Sequence, residues 1–387
     1  MVLFDDAQAR GFEPLSDLRS VADLLFGGRT LRERWDGLDV GFESTDGAVD
    51  EVLAVNARLI AGADVAARLR GLACGAALKS GDSIVAVRFK SGSAERKGLG
   101  AGVDWAEVAR GSAVEQWPDA PMLQGPNDLF SRLDVAIADD LDGMVQAWGC
   151  RSGEKPEHAV LLGDSAGLWM AKGAEVEAAV LDLRGGPIVL GPGATVQSGA
   201  LIKGPVVIGA NSTVAMGAQI YGPTALGPHC KVGGELKGVS FQGYSNKGHY
   251  GFLGDSVIGR WCNLGAGTTC SNLKNTYGRV RQWNALSGEL ELTELQFCGV
   301  VMGDHVKCGI GTVLNTGTVI GTGSVIFDVG FPPKHLPSFS WYNARTGERT
   351  VHRLTNMIQT AEHVMGRRGM HMDDVERSRL KEMASKE

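Results

Sequence analysis

The side chains best suited to chemistry in this chain surround one histidine, His249, in the segment SNKGHYGFLGDSVIG. An imidazole with an ordinary pKa of about 6.5 is largely unprotonated at pH 7, so it can accept a proton from a reacting group. Other polar residues lie nearby in sequence, Glu235 and Lys237 in GGELKG and Asn263 and Asn272 in NLGAGTTCSN. A lone histidine is more often a surface or structural residue, so the elements that hold these side chains decide what they can do.

The elements around this segment are short strands of a repeat. An aliphatic residue recurs at every sixth position, usually with glycine or another small residue beside it. This period predicts a parallel β-helix, in which each short strand puts one apolar side chain inside before the chain turns a corner. The first run comprises Leu190, Val196, Ile202, Ile208, Val214, Ile220, Leu226 and Val232, and a second run comprises Met302, Cys308, Leu314, Ile320 and Ile326.

Taken as one register, the two runs predict a single coil that continues across residues 238–300. This interruption is either a loop insertion with solvated polar residues or a loop that leaves the coil to build a site. Coils of this kind have three flat outer faces and commonly associate about a three-fold axis, which creates clefts between subunits. A homotrimer is therefore the expected assembly.

The interrupting segment resembles the acetyltransferase domain of a bifunctional family, N-acetylglucosamine-1-phosphate uridyltransferase and glucosamine-1-phosphate acetyltransferase. The likeness lies in GGELKG, SNKGHYGFLGDSVIG and NLGAGTTCSN, which follow the family's motifs in order and spacing. The resemblance implies a left-handed parallel β-helix, acetyl-CoA as co-substrate and N-acetyl transfer to an amino-sugar phosphate.

The resemblance also implies roles for individual residues. His249 falls on the family's catalytic histidine, which takes a proton from the sugar amine as the amine attacks the acetyl thioester. Glu235 and Lys237 fall on a Glu-x-Lys pair whose lysine helps to hold the sugar phosphate, a contact that suits an ammonium group; the alternative is a solvent-facing ion pair. Further substrate contacts of the family fall on Asn263 and Asn272, and its acetyl-CoA contacts fall on Ala266 and Gly303.

Two positions depart from the family pattern. Phe252 and Leu273 stand where the family has tyrosines, so two hydroxyl contacts are lost and the amino sugar can differ. Lys247, Lys274 and Tyr244 are candidates for substitute substrate contacts. The sequence leaves the identity of the sugar and of the acyl group open.

The N-terminal sequence resembles the sugar nucleotidyltransferase part of the same family, in a divergent branch with a shortened domain. It keeps an opening strand, a loop arginine at Arg10 and the pair Pro14 and Leu15. Asp5 and Asp6 replace the small loop residues that approach phosphate in the family. Two carboxylates there would repel a triphosphate unless Mg²⁺ bridged them.

Two interpretations of this domain stay open. In one, Arg10 and Arg19 bind a nucleotide, Asp6 binds Mg²⁺ and a nucleotidyl group is transferred to a sugar 1-phosphate. In the other, that chemistry is lost and the domain keeps a packing role. Asn56 stands where the family's metal-binding aspartate is expected. Apart from this Mg²⁺, the sequence predicts no metal site.

The composition favours a soluble cytoplasmic protein. Hydrophobic residues make up 43% of the 387 positions, and a net charge of −6 argues against a general nucleic-acid binder. Seven cysteines lie scattered without a CxxC pair, which favours reduced thiols. The N-terminus has no export signal, and no segment reaches the roughly 18 apolar residues of a membrane span.

Three domains are expected. They are an α/β nucleotidyltransferase-like domain at residues 1–165, the β-helix at 166–330 and a C-terminal helical extension at 331–387. The polar segment 151–157 is the expected linker. The helical tail is expected to cap the coil or to pack on a neighbouring subunit.

A transferase acting in a sugar-nucleotide pathway is the expected function, and two other classes stay open. One is a non-catalytic trimeric scaffold or nucleotide-sugar binding protein. The other is a zinc-dependent hydratase, in which histidines of neighbouring subunits hold Zn²⁺. His229, His249 and His305 lack the close pairing in sequence that the zinc class needs.

Overall fold

The computed structural model of the chain describes residues 1–40, 51–90, 103 and 105–386. The chain divides into two compact units. Unit 1 contains Met1–Gly11, Ser20–Leu24 and Arg29–Gly125, and unit 2 contains Phe12–Arg19, Leu25–Gly28 and Pro126–Glu387. The expected domain boundary near residue 165 therefore differs from the division in the structure, which falls after Gly125.

Unit 1 is built on a five-stranded mixed sheet. The first seven strands among the described residues are β1 (Val2–Phe4), β2 (Leu25–Phe26), β3 (Arg29–Thr30), β4 (Glu51–Asn56), β5 (Ala76–Ser80), β6 (Ser83–Lys90) and β7 (Ala113–Gln116). The sheet has the order β1-β4-β6-β5-β7. Helix α1 (Ala63–Arg70) packs on one side of it and α2 (Trp105–Val108) on the other. The opening strand expected from the sequence is confirmed as β1, and a short 3₁₀ turn, Glu33–Trp35, follows β3.

Unit 2 is a parallel β-solenoid with three faces. Its strands are β8 (Arg151–Ser152), β9 (Val160–Leu162), β10 (Leu168–Met170), β11 (Glu175–Val176), β12 (Val180–Asp182), β13 (Ile188–Leu190), β14 (Thr195–Val196), β15 (Leu201–Lys203), β16 (Val206–Ile208), β17 (Thr213–Val214), β18 (Gln219–Leu226), β19 (Lys231–Val232), β20 (Glu235–Phe241), β21 (Asn246–Lys247), β22 (Phe252–Ile258), β23 (Asn263–Leu264), β24 (Thr269–Cys270), β25 (Arg281–Asn284), β26 (Glu289–Leu292), β27 (Val300–Met302), β28 (Lys307–Cys308), β29 (Val313–Leu314), β30 (Thr318–Ile320), β31 (Val325–Phe327), β32 (His335–Leu336), β33 (Ser340–Asn343) and β34 (Arg349–Val351).

Each face is a parallel ladder of strands from successive coils. Face 1 consists of β9, β12, β15 and the first parts of β18, β20 and β22. Face 2 consists of β10, β13, β16, the second parts of β18, β20 and β22, then β27, β30 and β32. Face 3 runs from β11 through β14, β17, β19, β21, β23, β28 and β31 to β33.

The interior of the coil is the core that the repeat predicts. Every residue of the two sequence runs belongs to one buried cluster, with an exposed fraction of at most 3%. A fully buried Val, Leu or Ile side chain contributes about 1.5–3 kcal/mol. The predicted parallel β-helix is therefore confirmed, and its left-handed sense stays a prediction.

The interruption of the coil is shorter than the sequence indicated. Strands β20 to β24 keep the coil intact through Cys270, with polar residues confined to outward positions and corners. The chain leaves the coil only after β24 and forms an antiparallel hairpin of β25 and β26. The coil then resumes at β27, which pairs with β22.

Helix α4 (Leu133–Trp148) explains the position of the domain boundary. Its Leu133, Ile137 and Met144 pack on outward side chains of face 2, among them Val207 and Ala225. This apolar stripe ties the helix to the solenoid, although the sequence assigned it to the N-terminal domain. The short helix α3 (Asp128–Ser131) precedes it.

The C-terminal part begins with further coil and ends in two helices. Strands β32 and β33 extend faces 2 and 3 beyond the expected end at residue 330. The helices are α5 (Leu354–Gly366) and α6 (Asp374–Ala384), so the predicted helical tail is confirmed. Met357, Ile358 and Ala361 of α5 are buried with Trp261 and Phe339 of the coil. Within the described ranges, no helix is long and apolar enough to cross a membrane.

Candidate functional site

His249 lies at a corner of the solenoid, where face 3 passes into face 1. The corner comprises residues 248–251, between β21 and β22, and the histidine side chain is exposed. It opens onto a cleft of about 970 Å³ between face 3 and helix α5. We name this the cationic cleft; its lining residues are Lys231, Tyr244, Asn246, Gly248, His249, Trp261, Cys262, Asn263, Leu264, Gly265, Ala266, Lys307, Ile310, Val364, Arg367 and Arg368.

Four cationic side chains face the cleft, and no aspartate or glutamate is among its described lining residues. Lys231 and Lys307 come from face 3, and Arg367 and Arg368 follow the end of α5. Burial lowers the pKa of Lys307, whose ammonium donates a hydrogen bond of 2.5 Å to the carbonyl of Trp261. In a chain with a net charge of −6 this concentration of positive charge marks an anion-binding surface.

The register of face 3 produces part of this lining. Lys231 pairs with Asn246, Asn246 with Asn263, and Asn263 with Lys307, so four polar side chains form one outward column. Each precedes an inward residue of the repeat, and neighbouring residues of a strand point to opposite sides. Asn263 was predicted as a substrate contact, and the structure brings it into the same cleft as His249.

Arg368 ties the C-terminal segment to this column. Its guanidinium donates to the carbonyl of His229 at 3.1 Å and to Oδ1 of Asn246 at 3.4 Å. Among the described residues, the side chains of Arg367 and Lys231 have no hydrogen-bond or ion-pair partner, although their backbone N–H groups donate to His363 and Ser245, respectively. These two cations are therefore available to an anion.

Ala266 and Gly303, the two predicted acetyl-CoA contacts, lie at different edges of the solenoid. Ala266 lines the cleft, and the residue one coil further along the same edge is Ile310. Gly303 instead follows face 2, where a Cβ atom would meet Thr322 and Pro14. The structure therefore does not place Gly303 in the cleft, because the inserted hairpin lies between the coils and shifted the count of corners along the sequence.

A second group of predicted residues gathers on face 1, beside the His249 corner. Nδ2 of Asn272 donates to Oδ2 of Asp255 at 2.5 Å. Burial raises the pKa of Asp255, and the Asn272 hydrogen bond and the Lys237 charge oppose this rise. The ammonium of Lys237 lies 5.9 Å from the ring centre of Phe297. Glu235, two residues before Lys237, is exposed on the same face.

Two predicted substrate contacts have other partners. Lys247 is 1% exposed, and its ammonium donates to the carbonyls of Gly233 at 3.1 Å and His249 at 3.0 Å inside the coil. The ammonium of Lys274 donates to the carbonyl of Arg279 at 2.8 Å and so closes a turn before the hairpin. The structure thus places Lys247 out of reach of a bound substrate.

The four cationic side chains of the lining were not predicted from the sequence. Lys231 and Lys307 could have been found, because each stands one position before an inward residue of face 3. Arg367 and Arg368 carried no such signal, since their distance in sequence from His249 gives no hint that α5 covers this face. Tyr244 and Trp261, with ring centres 4.3 Å apart, form the apolar wall.

In unit 1 the carboxylate of Asp6 is bound by an arginine. Arg58 donates from Nη2 to Oδ2 at 2.6 Å and from Nε to Oδ1 at 3.1 Å, and its side chain is 3% exposed. Asn56 donates from Nδ2 to Oδ2 of Asp6 at 2.9 Å. A divalent cation needs oxygen ligands with free lone pairs and no cation beside them. The residues around Asp6 therefore do not fit the expected Mg²⁺.

The two predicted nucleotide-binding arginines belong to different units. Arg10 is exposed at the end of a 3₁₀ helix in unit 1. Arg19 belongs to unit 2 and forms a buried, two-contact ion pair with Asp304. Its guanidinium is thus committed to the solenoid. In the described part of the chain, no group of three or more His, Cys, Asp or Glu side chains comes together as a metal site.

The cysteines differ in burial along the chain. All seven cysteines are free, as expected, but Cys74 is exposed and Cys150 is half-buried, so only the five in the coil are core thiols. The segment 151–157, which was expected to form a linker, begins with β8, which pairs with β10.

Comparison with known proteins supports a transferase. Residues 1–38 and 43–147 match the family model described as sugar nucleotidyl transferase. This agrees with the resemblance expected of the N-terminal sequence, whereas the bifunctional family proposed from the coil stays a prediction. Among curated proteins, none matches the sequence significantly.

Solved structures with some likeness to this chain include three acyl-transferring enzymes. They are the polySia-specific acetyltransferase NeuO (12% identity, covering 50% of this chain and 82% of that chain, TM-score 0.28), the N-acyltransferase AntD from Bacillus cereus in complex with dTDP and 3-hydroxybutyryl-CoA (12%, 55% and 91%, 0.26) and UDP-N-acetylglucosamine acyltransferase from Campylobacter jejuni (16%, 56% and 88%, 0.22). At these scores the likeness carries no conclusion about the ligands or activity of this chain.

Proposed function

We propose that unit 2 transfers an acetyl group from acetyl-CoA to the amine of an amino-sugar phosphate, with His249 as general base. The observation that carries this proposal is the opening of the His249 corner onto the cationic cleft. A base beside an anion-binding surface suits a reaction in which one substrate loses a proton and another carries phosphate groups.

The cleft suits the phosphorylated carrier. Coenzyme A carries several phosphate charges, and Lys231 and Arg367 have no partner among the described residues that would compete for them. Arginine binds phosphate through paired hydrogen bonds, and lysine binds it as a point charge. Ala266 and Ile310 add a small and an apolar surface along the same edge.

Face 1 suits the sugar phosphate. Lys237 provides a cation there, and Asn272 and Asp255 provide hydrogen-bonding groups beside it. The His249 corner joins this face to the cleft on face 3. The acceptor amine and the thioester would therefore approach the imidazole from opposite sides of one edge.

The chemical step is an acyl transfer that balances without a metal or redox cofactor. The amine lone pair attacks the thioester carbonyl, a C–N bond forms and the C–S bond breaks. His249 takes the proton that the nitrogen loses, and the coenzyme leaves as a thiolate that is then protonated. Proton transfer of this kind contributes about 10²–10⁴-fold to the rate.

A direct test replaces His249. The purified chain is assayed with acetyl-CoA and a panel of amino-sugar 1- and 6-phosphates, and released thiol is measured. His249→Ala is expected to lower kcat by about 10²-fold or more with an unchanged circular dichroism spectrum. His158→Ala, an exposed histidine outside the cleft, serves as the control. Equal turnover of His249→Ala and the wild type would refute the role of His249, and a wild type inactive on every acceptor would refute the reaction.

The cleft is tested separately from the base. Lys231→Ala and Arg367→Ala are expected to raise the KM for acetyl-CoA by about tenfold each, with a larger effect at low salt. Lys172→Ala, an exposed lysine outside the cleft, is the matched control. If KM for acetyl-CoA stays unchanged, the carrier binds elsewhere.

Nucleotidyl transfer by unit 1 is the second candidate, and the family match favours it. The ion pair between Asp6 and Arg58 speaks against it, because it occupies the carboxylate that was predicted to bind the Mg²⁺ that such a reaction uses. Pyrophosphate release is the measurement, with sugar 1-phosphates and each of the four NTPs in the presence of Mg²⁺. Release with any pair would support transfer, and its absence with all pairs would support a packing or binding role.

A homotrimer in the cytoplasm completes the proposal. No helix in the described part of the chain covers face 1 in the way that α4 covers face 2, and Leu201 and Tyr221 are exposed on it. A second copy is the natural cover for such a flat strand face. Light scattering of the purified chain tests this, with a monomer as the contrary result.

A further inference from the structure

A lysine occupies the interior of the coil beside the proposed base. Along face 3 the inward positions hold Val214, Val232, Leu264 and Cys308, and Lys247 holds the one between Val232 and Leu264. Burying an ammonium group is costly unless hydrogen bonds offset the loss of water. Burial lowers the pKa of Lys247 to about 8.

The ammonium makes its hydrogen bonds to two successive corners. It donates to the carbonyl of Gly233 at 3.1 Å, in the corner one coil before, and to the carbonyl of His249 at 3.0 Å. The corner at Gly233 has only two residues between β19 and β20, whereas the His249 corner has four. Lys247 therefore bridges a short corner and a longer one.

The His249 corner also differs in conformation from its neighbours. In the corners of residues 215–218, 265–268 and 309–312 the third residue is a left-handed glycine, with φ of 68°, 74° and 73°. In the His249 corner the positive φ falls instead on the fourth residue, Gly251, at 122°. The backbone around the imidazole thus follows a path that these three corners do not use.

This path leaves the His249 carbonyl without its usual partner. In the regular corners, the carbonyl of the second corner residue accepts a hydrogen bond from the N–H of the third residue of the corner one coil later. The carbonyl of Ala266 accepts in this way from the N–H of Gly311 at 2.8 Å. In the next coil after His249, the N–H of Gly267 donates to Tyr250 at 3.1 Å. The carbonyl of His249 instead accepts a hydrogen bond from the ammonium of Lys247, inside the coil.

We propose that Lys247 is a positioning residue, whose buried ammonium holds the His249 corner in the conformation that directs the imidazole into the cationic cleft. This rests on the proposed role of His249. Lys247 does not touch a substrate; it acts through the backbone of the base.

The test replaces Lys247 with residues of similar length. Lys247→Met fills the interior but donates no hydrogen bond, and it is expected to lower kcat by about 10–10²-fold with KM for acetyl-CoA within about threefold, since small misplacements of a catalytic group have costs of this size. Lys247→Gln, which can still donate to one carbonyl, is expected to recover part of kcat. Val232→Ala, which opens a cavity one coil away and keeps the ammonium, is the control and is expected to keep kcat.

Amide hydrogen exchange supplies a readout that does not depend on activity. In Lys247→Met, the amides of Glu235 and Gly267, which donate to the carbonyls of Gly251 and Tyr250 in this corner, are expected to exchange at least about tenfold faster, while those of face 2 stay unchanged. If kcat and these exchange rates match the wild type, or if Val232→Ala lowers kcat equally, the positioning role is wrong. If His249→Ala keeps full activity, the proposed reaction role of His249 fails instead, and the exchange result still decides whether Lys247 holds the corner.

Discussion

The ion pair of Asp6 and Arg58 makes a prediction that separates the two interpretations of unit 1. If Asp6 is a structural partner of a buried guanidinium, Asp6→Ala strands that charge. Arg58 is 3% exposed, and the change removes its contacts of 2.6 and 3.1 Å to the carboxylate and leaves those to Ser83 at 2.8 Å and to Leu123 at 3.2 Å. Removing one partner of a buried pair costs about 3–5 kcal/mol.

The assay must report on unit 1 alone, because the chain contains two units. Hydrogen exchange of the amides in β4 and β6 measures the free energy of opening of this sheet, and urea titration followed by circular dichroism measures the whole chain. Asp6→Ala is expected to lower the opening free energy of β4 and β6 by about 3–5 kcal/mol. Glu115→Ala, which removes a largely exposed partner of Arg68 in the same unit, is expected to cost less than about 1 kcal/mol.

The double change Asp6→Ala with Arg58→Met provides the sharper comparison. With both side chains replaced no buried charge is left unpaired, so the double variant is expected to be more stable than Asp6→Ala alone. The reasoning is refuted if Asp6→Ala costs less than about 1 kcal/mol, or if Mg²⁺ stabilises the wild type and not Asp6→Ala. The latter result would show that Asp6 binds the metal.

Three further predictions concern pH. Burial lowers the pKa of Lys247 from 10.5 to about 8, so the unfolded chain binds more protons than the folded chain between these pH values. Urea titrations should therefore show the free energy of unfolding rising from pH 8 to pH 10.5 in the wild type, with a flatter profile in Lys247→Met. Burial raises the pKa of Asp17 from 3.8 to about 7, so the contribution of its protonated form to stability is lost as pH rises through that range. Asp17→Asn should therefore raise Tm at pH 8 by roughly 5 °C and leave it unchanged at pH 4. An equal Tm of the variant and the wild type at pH 8 would contradict this. Burial, aided by Arg349, lowers the pKa of His335 from 6.5 to about 4, so stability should fall as pH drops from 6.5 to 4 in thermal scans, and His335→Gln should remove that dependence.

The coil and its inward residues were predictable because the interior of a solenoid admits only small and aliphatic side chains at a fixed spacing. A shortened coil limited this reasoning. Between Val232 and Lys247 the coil has fifteen residues instead of eighteen, as the register of face 3 shows. A strict count of six therefore places Lys247 outside, where the sequence predicts a substrate contact.

Part of the candidate site was also predictable from the sequence. His249, Asn263 and Ala266 lie on one stretch of chain, and the structure places all three on the cleft. Gly303 was misplaced because the hairpin of β25 and β26 inserts residues that the repeat does not count. Arg367 and Arg368 could not be predicted, because the packing of α5 on Trp261 and Phe339 depends on side-chain shape rather than on a period.

The sequence by itself determined the solenoid, its interior and the one imidazole among polar neighbours, because periodic burial and local motifs are written in residue order. Only the tertiary structure determined which other side chains these groups contact. In the tertiary structure Arg367 and Arg368 line the same cleft as His249, Lys247 points into the coil and Asp6 forms an ion pair with Arg58. Each of these contacts depends on side-chain packing or on charge compensation between residues that no sequence period relates.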